Sequence, residues 1–250
     1  MIKEHFQEGG VAMTNMCQCG HCTHDLCMHR VPIFSTLNQE EIEKIANLIH
    51  HREYKKGEIL VSEGEKSESI VIMHEGSAKA YKYTADGREQ ILYIFSEGDF
   101  FGEQNLLSDN TATYFVEALQ DVKTCVLLKS QFQQLLHQYP EIAIKIIDEL
   151  GQRMMRLENA LQSMGVRNVD ARLGSLLIEF ESKYGSTVPE GILIQLPLSR
   201  EGIANYLGIA RETVSRKLSQ LEQEGIIRSL NNKTILITDQ SSLKEIAGTV

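Results

Sequence analysis

Six apolar residues in the middle of the chain, Ile147, Leu150, Met154, Leu157, Leu161 and Met164, recur at intervals of three and four in strict alternation. Within a stretch from Glu141 to Met164 that carries no proline, this is the a/d seam of a two-stranded coiled coil, and a seam of that kind needs a second helix. The spacing therefore predicts a helix about 36 Å long at about 1.5 Å per residue, serving as the axis of a homodimer. Arg153 and Glu158 fall at g and e positions five apart, so an interchain ion pair between parallel copies is available. The same periodicity also suits an amphipathic helix lying on its own domain.

At 250 residues, with 42% hydrophobic and 24% charged side chains, the chain is long enough for two ordinary domains, one on each side of this helix. A formal charge of -9 excludes bulk attraction to nucleic acid or to an anionic membrane, so any contact with DNA must come from a local group of Arg and Lys. The N-terminal residues MIKEHFQEGGVAM carry acidic groups and no apolar core, and no run reaches the ~18 apolar residues of a membrane span. A cytoplasmic location is expected, where structural disulfides are disfavoured and clustered cysteines point to metal or redox chemistry.

Such a cluster is present. Cys17, Cys19, Cys22 and Cys27 lie within MCQCGHCTHDLCMHR, interleaved with His21, His24 and His29. Thiolates this close can converge on one metal, and soft sulfur ligands select zinc, copper(I) or an iron-sulfur cluster. A thiol-disulfide pair or a plain thiol-bearing tail are the remaining readings. An enzyme such as a zinc hydrolase would want an open coordination position and a nearby general base, and no carboxylate pattern here supplies them.

Asn38 with Glu41 predicts a helix start, with Ile42, Ile45, Ala46 and Ile49 on one face and an end near His50. From Tyr54 to about Leu128 the pattern changes to short apolar runs separated by Gly57, Gly64, Gly76, Gly87, Gly98 and Gly102. Ile59–Val61, Ile70–Ile72, Ala78–Tyr81, Ile91–Ile94 and Cys125–Leu128 read as strands, and Asp86-Gly87 as a hairpin turn, which together make a barrel or double-sheet roll. The phrase Gly98-Asp99-Phe100-Phe101-Gly102-Glu103 either aims backbone N–H groups at a small anion or is a plain turn.

Beyond the long helix, Asp170 can cap a helix bearing Leu173, Leu176, Leu177 and Phe180, and the polar stretch from Ser182 to Glu190 reads as a loop before a strand from Ile192 to Leu196. Ser199 then opens a helix with Ile203, Ala204 and Leu207 inward; Gly208 breaks it; and a second helix from Ala210 to Gln223 turns Val214, Leu218 and Leu221 inward. This is a helix-turn-helix. Its second helix offers Arg211, Glu212, Ser215 and Arg216 outward, with Lys217 alongside. Arginine donates two hydrogen bonds to guanine and a carboxylate accepts from cytosine, so these are groups for reading bases. Two strands from Gly225 to Ile237, around Asn231-Asn232-Lys233, make a wing with Arg228 and Lys233 as phosphate contacts.

The order of Gly57-Glu58, Gly76-Ser77, Asp86-Gly87, Gly98-Asp99-Phe100-Phe101-Gly102-Glu103, the long helix and the distal module resembles the CRP/FNR superfamily of bacterial transcription regulators over nearly the whole chain. The resemblance implies an α+β chain: a cysteine-rich segment at 1–30, a cyclic-nucleotide-binding-type β-roll at 31–138, a dimerisation helix at 139–166 and a winged helix-turn-helix at 167–250. It also implies double-stranded DNA with a near-palindromic site as partner, with RNA polymerase as a candidate second one. Members that bind cyclic AMP follow Gly-Glu, some ten residues later, with Arg-Ser. Here Gly102 and Glu103 are followed by Ala112 and Thr113, so no guanidinium meets the phosphate and cyclic nucleotide binding is not expected.

The FNR branch instead implies an oxygen-labile [4Fe-4S] cluster on Cys19, Cys22, Cys27 and Cys125, with Cys17 as an alternative ligand. The surplus Cys17 leaves room for zinc on local ligands, or for a disulfide switch of the kind attributed to FNR-like proteins of lactic acid bacteria. Arg211-Glu212-Thr213-Val214-Ser215-Arg216 resembles the superfamily's recognition helix. Arg211 stands where the FNR branch often has valine and the CRP branch has arginine, which implies a half-site nearer TGTGA than TTGAT.

Overall fold

The computed structural model describes residues 31–66, 68–103, 111–165 and 168–248, with backbone alone for residue 156 and for residues 159–165. Cys17, Cys19, Cys22 and Cys27 lie outside these residues, as do the side chains of Leu161 and Met164.

A short 3-10 turn, Pro32–Phe34, leads into α1, Gln39–Ala46. The expected capping box is formed: the Asn38 side chain accepts from Glu41 N at 3.1 Å, and the Glu41 carboxylate accepts from Asn38 N at 2.8 Å. The helix stops short of Ile49, because His50–Tyr54 forms a strand, β1. Its sequence HHREY is almost wholly exposed, so no apolar alternation announced it.

The strands that follow are β2 Ile59–Val61, β3 Ser69–Glu75, β4 Ala78–Tyr83, β5 Glu89–Phe95, β6 Phe100–Phe101, β7 Phe115–Ala118 and β8 Val122–Leu128. They pair antiparallel into two four-stranded sheets, β1-β8-β3-β6 and β2-β7-β4-β5, which is the double-sheet roll expected. Strands β3, β6 and β8 of the first sheet are buried on both faces. Ile70, Ile72, Cys125 and Leu127 face a core shared with Val31, Ile33, Phe34, α1 and the helices that follow the roll. The alternate residues Val71, Met73, Val122 and Val126 face the second sheet. Period two sends neighbours along one strand into different cores.

Two helices follow the roll: α2 Lys129–Gln138 and α3 Pro140–Gly165. The break falls at Tyr139, held at φ -129 and ψ 77, because a residue before proline is forced out of the helical region, whereas Pro140 is itself well suited to a first helical position. One face of α3 seals the roll with Ile142 and Ile146 buried and Leu150 half-buried. Ile147 is 67% exposed, Met154 59% and Leu157 41%, while Ile144 at 60% and Met155 at 55%, outside the heptad pattern, are as open. Leu150, read from the sequence as a seam residue, therefore belongs in part to the roll. Arg153 also turns inward, to Glu103, which removes it from the interchain pair with Glu158 that the spacing offered.

The distal module comprises α4 Val169–Tyr184, β9 Gly185–Val188, β10 Gly191–Gln195, α5 Arg200–Leu207, α6 Arg211–Gln223, β11 Ile227–Asn231, β12 Thr234–Ile237 and α7 Gln240–Ala247. The stretch read as a loop from Ser182 is instead the end of α4 and a strand, β9, that pairs with β10 in the sheet β11-β12-β10-β9. Its polar residues are exposed on an edge strand, which is why they resembled a loop. The module is seated on the roll of its own chain. Tyr81, Ile91 and Ile94 share one core with Leu173, Leu177, Ile203, Leu207 and Leu218. Around that core Gln90 Nε2 donates to the Tyr206 carbonyl at 3.3 Å, and Asn205 Nδ2 donates to Glu89 at 3.4 Å.

Candidate nucleic-acid interface

Ser199 caps α5, its hydroxyl oxygen accepting from Gly202 N at 3.1 Å, and Gly208 closes the helix in the left-handed region at φ 66. That turn sets α6 across α5, with Val214, Leu218 and Leu221 packed beneath it. The N-cap of α6 is Ala210, which has no side-chain acceptor, so no cap side chain takes up the first-turn N–H groups, of which Thr213 N donates to the Ala210 carbonyl at 3.0 Å. Arg211, Glu212 and Arg216 are exposed and Ser215 half-buried beside them, so four of the expected base-reading residues share one open face. β11 and β12 form the wing, on which Arg228 and Lys233 are exposed. Glu222 ties the wing to α6 by accepting from Ser229 N at 2.6 Å, and the Asn231 side chain shapes the wing turn by accepting from Lys233 N at 2.8 Å.

Lys217 is placed differently. Its ammonium lies 2.8 Å from Asp170 in the first turn of α4 and 3.2 Å from Gln220, so it braces the recognition helix rather than facing outward. Asp170, in turn, is not the cap of its helix: Asn168 is, accepting from Asp170 N at 3.0 Å. Sequence reasoning missed the Lys217–Asp170 pair because α4 and α6 meet only in the folded chain, whereas the Asn168 cap, two residues before Asp170, was legible locally. Lys233→Ala is accordingly expected to lower the salt slope of DNA binding by about one counterion per wing, and Lys217→Ala to leave it unchanged. Titrations of operator DNA at several salt concentrations test this, and equal slopes for the two variants would return Lys217 to the DNA contacts.

In the roll, Gly102 at φ +94 makes the turn that delivers Glu103, and a Cβ there would press on the Ser69 carbonyl oxygen at 2.5 Å. Glu103 is buried, and burial pushes its carboxyl above the ordinary carboxylate range while the neighbouring Arg153 partly offsets the rise. One carboxylate oxygen accepts from Arg153 Nη1 at 3.2 Å, and the other, Glu103 Oε2, is buried without a hydrogen-bond partner among the described residues. Arg153 Nη2 donates to the Phe100 carbonyl at 2.6 Å, with its guanidinium 4.6 Å from the centre of the Phe100 ring. Ala112 is buried and uncharged. The guanidinium beside Glu103 thus comes from α3, which no local motif could have indicated.

Cys125 is buried in β8, opposite His51 of β1 and Ile72 of β3, with its sulfur 3.6 Å from His51 Nδ1. Among the described residues no group of three or more His, Cys, Asp or Glu could hold a metal.

Two family models match: the cyclic nucleotide-binding domain over residues 51–139 and the Crp-like helix-turn-helix domain over residues 171–246. The chain is 30% identical over 221 residues to "Probable transcriptional regulator flp" of Lacticaseibacillus casei, covering 88% of this chain and 98% of that protein. It is 26% identical over 244 residues to the "Anaerobic regulatory protein" of Haemophilus influenzae, covering 97% and 91%. Among solved structures, FixK2 from Bradyrhizobium japonicum superposes with a TM-score of 0.71 at 27% identity, covering 79% of this chain and 96% of that one. No helix among the described residues is long and apolar enough to cross a membrane. Roll, long helix and winged helix-turn-helix thus occur here in the order, and over the length, that these relatives share, and the chain belongs to the CRP/FNR family as a DNA-binding transcription regulator, not an enzyme.

Proposed function

We propose that the chain works as a homodimer whose DNA binding is switched by oxygen or redox state through an iron-sulfur cluster on Cys19, Cys22, Cys27 and Cys125. The observation that carries this is the shared core of Cys125 and the segment Val31–Phe34. Val31 is buried in that core only four residues after Cys27, a span of at most about 14 Å of extended chain. Chain length therefore allows Cys27 to approach the core that holds Cys125, the one cysteine of the chain outside the N-terminal cluster. The donor set fits the group: thiolate sulfur is what an iron-sulfur centre takes, and the His51 ring nitrogen beside the Cys125 sulfur is the kind of neighbour that orients a ligand. Bound there, the cluster would supply an oxygen-labile link between the N-terminal segment and the sheet on which α3 rests. A relative named for anaerobic regulation supports the same reading.

In this reading the two recognition helices enter successive major grooves of a near-palindromic operator about one turn apart. Arg211, Glu212, Ser215 and Arg216 read base edges, and Arg228 and Lys233 hold phosphates. Cys17 gives the N-terminal segment four thiols of its own, which supports a second reading with zinc or a disulfide held locally.

Protein purified without oxygen is expected to carry iron and acid-labile sulfide in equal amounts, about four of each per chain, with visible charge-transfer absorbance that bleaches in air. Stoichiometric zinc without sulfide would replace this by the zinc reading, and a metal-free protein with a reducible disulfide by the thiol switch.

A further inference from the structure

The winged helix-turn-helix is joined to the roll by more than the chain connection, and strand β5 lies along the junction. A bulge in its pairing with β4, where Ala80 opposes Tyr93 and Tyr81 opposes Ile91, brings Ile91 and Ile94 to the same side. Both enter the core of the distal module, while Leu92, Tyr93 and Phe95 stay with the roll. Polar contacts cross the junction at both ends of the strand. At its start, Asn205 Nδ2 of α5 donates to Glu89 Oε1 at 3.4 Å. Beside it, Gln90 Nε2 donates to the Tyr206 carbonyl at 3.3 Å, two residues before the Gly208 turn that sets α6. Just past the end of β5, the Ser96 and Tyr184 hydroxyls share a hydrogen bond of 2.5 Å. Glu89 is itself held: Lys79, whose side chain is 12% exposed, lies 2.6 Å from it and 3.3 Å from Glu117. From the module's own side, Arg172 Nη1 donates to the Leu207 carbonyl at 2.9 Å, so the turn is gripped from two directions.

The contacts at the two ends are about 20 Å apart, along a strand that rises about 3.3 Å per residue. Attachments so far apart, with an apolar core between them, oppose rotation of the module on the roll, which a chain connection by itself permits. The roll is fixed in turn to α3 through Ile142, Ile146 and the Arg153–Glu103 pair. Arg211, Glu212 and Arg216 are exposed while the module is docked. Docking therefore aims the reading surface without covering it.

We infer that Glu89, Gln90 and Ser96 of the roll, through Asn205, Tyr206 and Tyr184, fix the direction of α6 relative to the long helix and so select the spacing between half-sites that the protein accepts. The inference rests on the homodimer reading above and adds to it which side chains measure the spacing. One extra base pair between half-sites moves one of them about 3.4 Å along the duplex and turns it about 35° around the axis. A module free to swivel absorbs that change. A module clamped at both ends of β5 must instead give up contacts at the junction or at the bases. These are positioning residues, acting through α6 rather than at the DNA.

The test uses the full chain and duplexes that carry the selected half-site as an inverted repeat, at its preferred spacing and with one base pair added or removed at the centre. The unaltered protein is expected to lose at least about tenfold in affinity when the spacing changes. Tyr184→Phe combined with Asn205→Ala removes one polar contact at each end of β5. This variant is expected to cut the discrimination to about threefold or less, with affinity for a single half-site within about twofold of the unaltered protein. Tyr184→Phe alone keeps the ring beside Phe180. It is expected to leave about fivefold discrimination, and it carries the test should denaturant unfolding show the double variant to be unfolded. Discrimination as sharp in the folded variants as in the unaltered protein overturns the inference. So does an equal loss on single half-sites, which would make the junction a support of α6 alone. Unaltered protein that binds inverted repeats no more tightly than single half-sites removes the homodimer reading, and this inference with it.

Discussion

Arg216→Ala is expected to lower affinity for the cognate operator while leaving affinity for scrambled DNA nearly unchanged. Arg216 is exposed on α6, on the same face as Arg211 and Glu212, and no ion pair among the described residues holds its guanidinium. Planar and always charged, it can donate two parallel hydrogen bonds to guanine O6 and N7, a match worth about 1–3 kcal/mol of discrimination per base pair. In a two-fold symmetric complex the loss occurs in both half-sites, so about 2–6 kcal/mol is expected, from roughly 30-fold to 10⁴-fold in affinity. Fluorescence anisotropy on an operator selected from random DNA, beside a scrambled duplex at the same salt, measures both. An equal loss on the two duplexes would assign Arg216 to phosphate instead, and an effect confined to one half-site would argue against symmetric engagement.

Cys22→Ser is expected to abolish the response of DNA binding to oxygen, with the unfolding transition of the roll unmoved. A serine hydroxyl does not replace a thiolate as a soft ligand. Cys125→Ala separates the two possible ligand sets. If Cys125 completes the site, this variant loses the response as well, together with some packing where its sulfur fills the core beside Ile72. If the response survives Cys125→Ala and is lost with Cys22→Ser, the ligands are local and Cys17 takes the fourth place. Operator binding measured before and after a timed exposure to air decides among these outcomes. A response that persists in Cys22→Ser removes the cysteine switch altogether.

What could be read before folding was whatever repeats locally. The capping box at Asn38 and Glu41, the glycine-punctuated strands, the break at Gly208 between two amphipathic helices and the exposed Arg211, Glu212 and Arg216 all depend on neighbours within a few residues. The strands His50–Tyr54 and Gly185–Val188 escaped because edge strands with polar, exposed side chains show no alternation, and only pairing with β8 and β10 makes them strands. The same limit explains the reassigned side chains. Lys217 stands beside outward residues on its helix, yet Asp170, 47 positions earlier in the chain, claims its ammonium.

Helix α3 states the division most clearly. The sequence by itself determined that a long helix with too much apolar surface for one partner would run between a strand-rich half and a DNA-reading half. Its period could not say which apolar residue belongs to which partner, because the roll and the exterior both draw on a helix that repeats every 3.6 residues. Tertiary structure decided that. Burial of Arg153 against Glu103, 50 residues apart, gives Leu150 to the roll and turns Ile144, Ile147, Met154 and Met155 outward, since a desolvated charge pair tolerates far less rotation than a greasy contact does.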